Sequence, residues 1–159
     1  MFLSYPLLAA LLGMLIAQFV KIPIHFLTSR EIKWDLMFST GGMPSSHTAF
    51  VISLTTAIGL TSGFYSNEFA ICVVFAAIVM HDATGVRRHA GFHAEILNKL
   101  MADFNSLIET LKDPDLKKTE SGKKLKELLG HKPAEVFFGA ITGIIIAFLT
   151  YVFYPFPLH

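Results

Sequence analysis

The sequence predicts an all-α fold: a polytopic membrane bundle of about four transmembrane helices, with an added amphipathic helix on one side. Three observations carry that prediction. Of the 159 residues, 53% are hydrophobic and 15 are phenylalanine. Mean hydropathy is +0.55, high for a water-soluble domain. All 13 Lys and Arg fall within residues 21–33 and 87–132, so the remaining chain is free of basic charge. The length suits one membrane domain over residues 1–159. A formal net charge of +1 gives no global field for nucleic acid. Cys72 is the single cysteine and cannot form an internal disulfide.

Four apolar runs define the spans. The first covers residues 5–20 and is expected to end at Lys21. The opening MFLSYPLLAALL has no Lys or Arg ahead of its apolar residues. It lacks the basic start of a secretory signal and is expected to be a retained span. The second run covers residues 48–64, and the third covers 69–80, ending in His81-Asp82. The fourth covers 133–153. A spanning helix needs roughly 20 apolar residues, with about 17 acceptable. The fourth run meets that outright, the first if its polar flank snorkels, and the second at the lower limit. The third spans if Asn67-Glu68 and His81-Asp82 sit at the interfaces. A soluble bundle would need a polar stripe on each helix, and VFFGAITGIIIAFLTYVFY has none.

With four spans, the two basic regions are the first and third connections, on one side of the membrane. The positive-inside rule assigns that side to the cytoplasm and both termini to the outside. A multi-pass membrane protein is therefore expected. The third connection, residues 84–131, contains an amphipathic helix over 93–111. Its residues Ile96, Leu97, Leu100, Met101, Phe104, Leu107, Ile108 and Leu111 recur at a helical period. Packing within the domain is the plainest use for it. Lying on the membrane, capping a site or pairing with a second subunit as a homodimer are the other uses. Asp113-Pro114-Asp115 breaks the pattern, and KKTESGKKLK at 117–126 reads as a solvated basic linker.

Four polar clusters share the predicted cytoplasmic face. Lys21 ends the first run, and Gly41-Gly42-Met43-Pro44-Ser45-Ser46-His47 precedes the second. Asp82 to Arg88 (DATGVRR) closes the third, and Gly130 to Glu135 (GHKPAE) opens the fourth. A helix start presents unpaired N–H groups and a partial positive charge, which suits an anion. Ser45, Ser46 and Thr48 add hydroxyls. Arg87 and Arg88 can grip phosphate oxygens, and Lys21 can add a point charge. His131 and Glu135, four apart, read as a pair on one helix face in which the carboxylate orients the imidazole. His47 and His131 together suit a divided task, nucleophile and proton donor. Asp82 is a supporting residue. Each feature also has a plain reading: helix caps for the serines, topology anchors for Lys21 and Arg88, and solvated interface residues for His81, His89, His93 and Glu95. Their meeting on one face is what favours chemistry. No metal-ligand spacing occurs, so no metal and no cofactor are expected.

At these residues the chain resembles the type 2 phosphatidic acid phosphatases and vanadium-dependent haloperoxidases. Pro44-Ser45-Ser46-His47 is similar to that superfamily's Pro-Ser-Gly-His, with Ser46 for Gly. His131 with Glu135 is similar to its final His-x-x-x-Asp, with Glu for Asp. GGMPSSH, DATGVRRHAG and LGHKPAEVFFG together resemble its small bacterial divergent branch over nearly the whole chain. The resemblance implies a helical membrane phosphatase. His131 would be the nucleophile that forms a phosphohistidine, His47 the general acid, and Glu135 the group orienting His131. Lys21, Arg87 or Arg88, and N–H groups near Ser45 and Ser46 would hold phosphate, and vanadate would mimic the five-coordinate state. Leu125 stands where the superfamily carries an Arg six residues before the nucleophile. Either Arg87 or Arg88 takes that role across an insertion, or the site is damaged.

The expected function is hydrolysis of a lipid phosphate monoester at the cytoplasmic leaflet. Phosphatidylglycerol phosphate is the best candidate, ahead of phosphatidic acid. The alternative is a non-catalytic membrane protein that binds phosphate-bearing lipid or scaffolds partners. An undecaprenyl pyrophosphate phosphatase fits less well, because its site would face outward. A transporter subunit, suggested by Gln18 within the first span, is weaker still.

Overall fold

The computed structural model describes residues 3–30, 41–111 and 131–154. Within them the chain forms five helices: α1 (Tyr5–Ser29), α2 (Ser46–Ser62), α3 (Asn67–Thr84), α4 (Val86–Leu111) and α5 (Pro133–Phe153). No strand occurs among the described residues. α1, the α3–α4 run and α5 are each long and apolar enough to cross a membrane. α2 has 17 residues, the lower limit for a span of about 17, and is enclosed by α1, α3 and α5. The protein is a helical membrane bundle with α2 at its centre.

Two helix boundaries differ from the sequence expectation. α1 does not end at Lys21 but continues to Ser29 with Pro23 inside it. The residues beyond the charge, Ile22, Ile24 and Phe26, remain apolar enough to sustain the helix. A proline within a membrane helix is tolerated when neighbours satisfy the freed backbone groups. The helix stops where Arg30 turns left-handed (φ 55°) and returns its N–H to the Phe26 carbonyl at 2.8 Å. α4 begins at Val86, directly after a one-residue break at Gly85, rather than near residue 93. Arg87 and Arg88 therefore lie on a helix. The basic linker at 117–126 and the break at 113–115 lie outside the described residues.

Local chemistry sets the remaining ends. Gly42 (φ 89°) adopts a backbone geometry natural to glycine and turns the chain ahead of Pro44. Ser45 caps α2, its Oγ accepting from the Thr48 N–H at 3.3 Å. Ser66 caps α3 in the same way through the Phe69 N–H at 3.2 Å. Pro133 sits in the first turn of α5, where its missing N–H costs nothing.

Small residues let the helices approach. Ala9, Gly13 and Ala17 recur every four residues on α1, and Ala49, Ser53 and Ala57 do so on α2. α5 matches them with Gly139, Gly143 and Ala147, and all nine positions are buried. A Cβ at Gly139 would fall 2.6 Å from the Ser45 carbonyl oxygen, and one at Gly143 would fall 2.8 Å from that of Ala49. Ser53 Oγ donates to the Gly143 carbonyl at 2.8 Å. Close backbone packing with hydroxyl-to-carbonyl bonds is how helices associate in lipid, where apolar burial supplies little drive. At the far end, Tyr5 Oη donates to Ala147 O at 2.8 Å and Tyr154 Oη to Leu3 O at 3.0 Å, fixing α1 antiparallel to α5. Among the other described helices, α4 touches only α3.

Candidate active site

The four polar clusters meet at the end of the bundle opposite Tyr154. Two main-chain bonds frame the meeting point. The Ser45 N–H donates to the Glu135 carbonyl at 2.9 Å, and the His131 N–H donates to the Ala83 carbonyl at 2.9 Å. The first joins the α2 cap to the first turn of α5. The second ties the residue leading into α5 to the last turn of α3.

His131 is almost fully enclosed, with its side chain 1% exposed. Lys132 caps α5, so His131 precedes the helix. The pair with Glu135 is therefore not the expected contact along one helix face. Glu135, in the first turn, reaches back past the cap, and its Oε2 lies 2.8 Å from His131 Nδ1. A carboxylate in that turn also suits the positive end of the helix dipole. An ionised Glu135 can only accept, so in the neutral ring the proton sits on Nδ1 and the lone pair on Nε2. Nε2 is buried and has no hydrogen-bond partner among the described residues. A buried polar atom left open is costly, and this one sits where a ligand could satisfy it.

His47 faces that ring, with 6.3 Å between centroids and 60° between planes. At that separation the two rings do not hydrogen-bond each other. Lys21 is 1% exposed and within electrostatic reach of both His47 and Glu135. It extends the stripe of Ala9, Gly13 and Ala17 by one more step of four, which points it inward. An anchor for headgroups would be exposed, so the plain reading of Lys21 does not hold.

The arginines separate. Arg87 Nε lies 2.6 Å from Asp82 Oδ2, across the Gly85 break, and both residues act electrostatically on His47. Arg88 turns away and stacks over the Phe92 ring at 5.5 Å. Arg87 and Asp82 therefore stand at the site and Arg88 stands off it. The serines separate as well. Ser45 is fully buried, its N–H is spent on Glu135 and its Oγ accepts from both Thr48 N and Thr48 Oγ1. It works as a structural cap, and the Thr48 hydroxyl is engaged with it. Among the described residues, the N–H groups of Ser46 and His47 face no acceptor, leaving the helix start open to an anion.

Sequence reading missed Gly139 and Ala83. Gly139 lets α5 approach the α2 cap, and Ala83 supplies the carbonyl that fixes the His131 backbone. The Gly139-x-x-x-Gly143 spacing is a visible signal for the first. Nothing in the sequence marks the second, since the contact uses only its main chain.

The chain matches the Divergent PAP2 family over residues 2–146. It is 50% identical over 152 residues to the uncharacterized membrane protein YuiD of Bacillus subtilis (strain 168), covering 95% of this chain and 96% of that protein. No solved structure matches it.

Proposed function

We propose that this chain, which belongs to the Divergent PAP2 family, hydrolyses a lipid phosphate monoester through a phosphohistidine. The observation that carries the reading is the state of His131: enclosed, held through Nδ1 by Glu135, and without a partner at Nε2 among the described residues, with the His47 ring 6.3 Å away by centroid.

The steps follow from that geometry. Neutral Nε2 of His131 attacks phosphorus, and the N–P bond forms as the ester P–O bond breaks. Protonated His47 gives its proton to the leaving alkoxide, which departs as the lipid alcohol. Water then attacks phosphorus, the N–P bond breaks, and His47 takes a proton from that water. Inorganic phosphate leaves and both histidines are restored. Glu135 keeps the His131 tautomer and stabilises the cationic ring formed in the first step. Lys21, Arg87 and the Ser46 and His47 N–H groups offset the charge on the equatorial oxygens, the main burden in phosphoryl transfer.

Basic residues on the site's side of the bundle support a cytoplasmic active face and external termini. A substrate made inside the cell, phosphatidylglycerol phosphate first, fits that orientation. The test is phosphate release by the detergent-purified chain from a panel of lipid phosphates, with acid-quench trapping of labelled protein. Release that vanishes in His131→Ala and in orthovanadate, with label on His131, is the expected result. Undiminished turnover by His131→Ala would overturn the covalent scheme. Silence across the panel, with thermal stabilisation by the same lipids, would favour a binder.

A further inference from the structure

A groove of about 430 Å³ runs between α1 and α5 in the half of the bundle toward Tyr154. Leu8, Leu12 and Ile16 line it from α1, and Ile146, Leu149 and Phe153 from α5. We propose that this groove seats a hydrocarbon chain of the same lipid whose phosphate reaches His131. The inference rests on the lipid phosphate reading and adds a second contact, which selects for chain length.

The lining determines the chemistry of the occupant. Its two remaining members, Thr150 and Tyr154, are polar, yet neither hydroxyl hydrogen is free. Thr150 Oγ1 donates to the Ile146 carbonyl at 2.7 Å, and Tyr154 Oη donates to Leu3 O at 3.0 Å. The lining therefore offers an acceptor-rich polar guest no free hydroxyl hydrogen, and such a guest would lose hydrogen bonds there. The volume falls within the roughly 300–1,000 Å³ of small-molecule sites. An apolar guest is the one that fits.

Alignment links the groove to the head site. On α5, Glu135 lies seven residues, two helical turns, before Thr142, and Ile146, Leu149 and Phe153 follow at steps of four, three and four, so Glu135 shares the helix face whose later residues line the groove. At ~1.5 Å per residue, Ile146 lies ~16 Å and Phe153 ~27 Å along α5 from Glu135. On α1, Ile16 and Leu8 lie ~7 Å and ~20 Å from Lys21 on the same measure. A short chain attached to a phosphate at His131 would stop before most of the groove, and a long one would fill it. The rings of Tyr5, Tyr151 and Tyr154, 5.4 and 5.5 Å apart by centroid, lie at the far end and set a length limit.

The test uses the detergent-purified full chain with two probes: phosphatidic acid bearing 16-carbon chains and phosphatidic acid bearing 4-carbon chains. Binding is read by thermal shift and turnover by phosphate release. The expected result is half-maximal stabilisation at a tenfold or more lower concentration of the long-chain probe. Leu149→Trp and Leu12→Trp, which fill the groove, should abolish that difference and leave the short-chain response at its wild-type value. Leu149→Ala, which widens the groove, covers the case in which both tryptophan variants misfold, and should shift the preference to longer chains. Discrimination that persists in the folded variants, or is absent from the wild type, overturns the groove. Discrimination lost in the variants, with no phosphate released by any protein, would keep the groove and remove the phosphatase. Equal release from both probes would do the reverse.

Discussion

The carbonyl of Ala83 accepts the backbone N–H of His131 at 2.9 Å. The last turn of α3 thereby fixes the residue whose side chain is gripped on its other side by Glu135. Position comes from one bond and ring orientation from the other, which separates the effects of mutations on shape and on chemistry.

Glu135→Gln should leave the fold intact and lower kcat by roughly 10²–10⁴-fold, because an amide can accept from Nδ1 but cannot stabilise a cationic ring. Single-turnover phosphate release beside a melting curve checks it. A loss of activity that merely tracks a loss of Tm would refute the orienting role.

His47→Ala should fail most on substrates whose leaving alcohol is a poor acid. A nitrophenyl phosphate leaves without protonation, so its turnover should fall by at least tenfold less than that of a lipid phosphate. Equal losses on both substrates would remove His47 from the proton-donor role.

The same division of labour predicts a bell-shaped dependence of kcat/KM on pH in the wild type. One histidine must be neutral and the other protonated in the free enzyme. The limb that falls with rising pH belongs to His47 and should flatten in His47→Ala when the activated substrate is used. Rates measured from pH 4.5 to 9 would show it.

Arg87→Gln should lower kcat/KM by tenfold or more, and Arg88→Gln should leave it within about twofold. Arg87 pairs with Asp82 beside His47, while Arg88 stacks on Phe92. Steady-state kinetics on both variants settles the pair, and equal effects would contradict the assignment.

Gly139→Ala should destabilise the bundle by about 1–3 kcal/mol, the usual cost of overpacking. Its Cβ would press on the Ser45 carbonyl oxygen at the α2 cap. Ile145→Ala, at an exposed position of the same helix, should change stability by within about 0.5 kcal/mol. Thermal unfolding in one detergent compares them directly.

Much of this was readable from residues alone. The bounds of α5 match the fourth apolar run because Pro133 opens it and no polar residue interrupts it before the end. Lys21 was misplaced because a charge after an apolar run looks like an interface. The four-residue step from Ala9 through Gly13 and Ala17 is the signal that turns it inward. Arg87 and Arg88 were inseparable, since their facing depends on where α4 begins, and that is set by the one-residue break at Gly85. The pairing of His131 with Glu135 was legible by spacing, though the histidine lies ahead of the helix rather than on it. Ser45 looked like a phosphate ligand because a cap and an anion site draw on the same residue types. Only the partners of its N–H and Oγ distinguish them.

Both ties that frame the site run from main chain to main chain, from Ser45 to Glu135 and from His131 to Ala83. They use no side-chain atom at those four positions. A substitution that fits the same space can therefore change the reactive group and keep both ties. Reactivity and architecture are separately heritable here, and new chemistry can be tried at residue 131 or 135 without renegotiating how the helices meet.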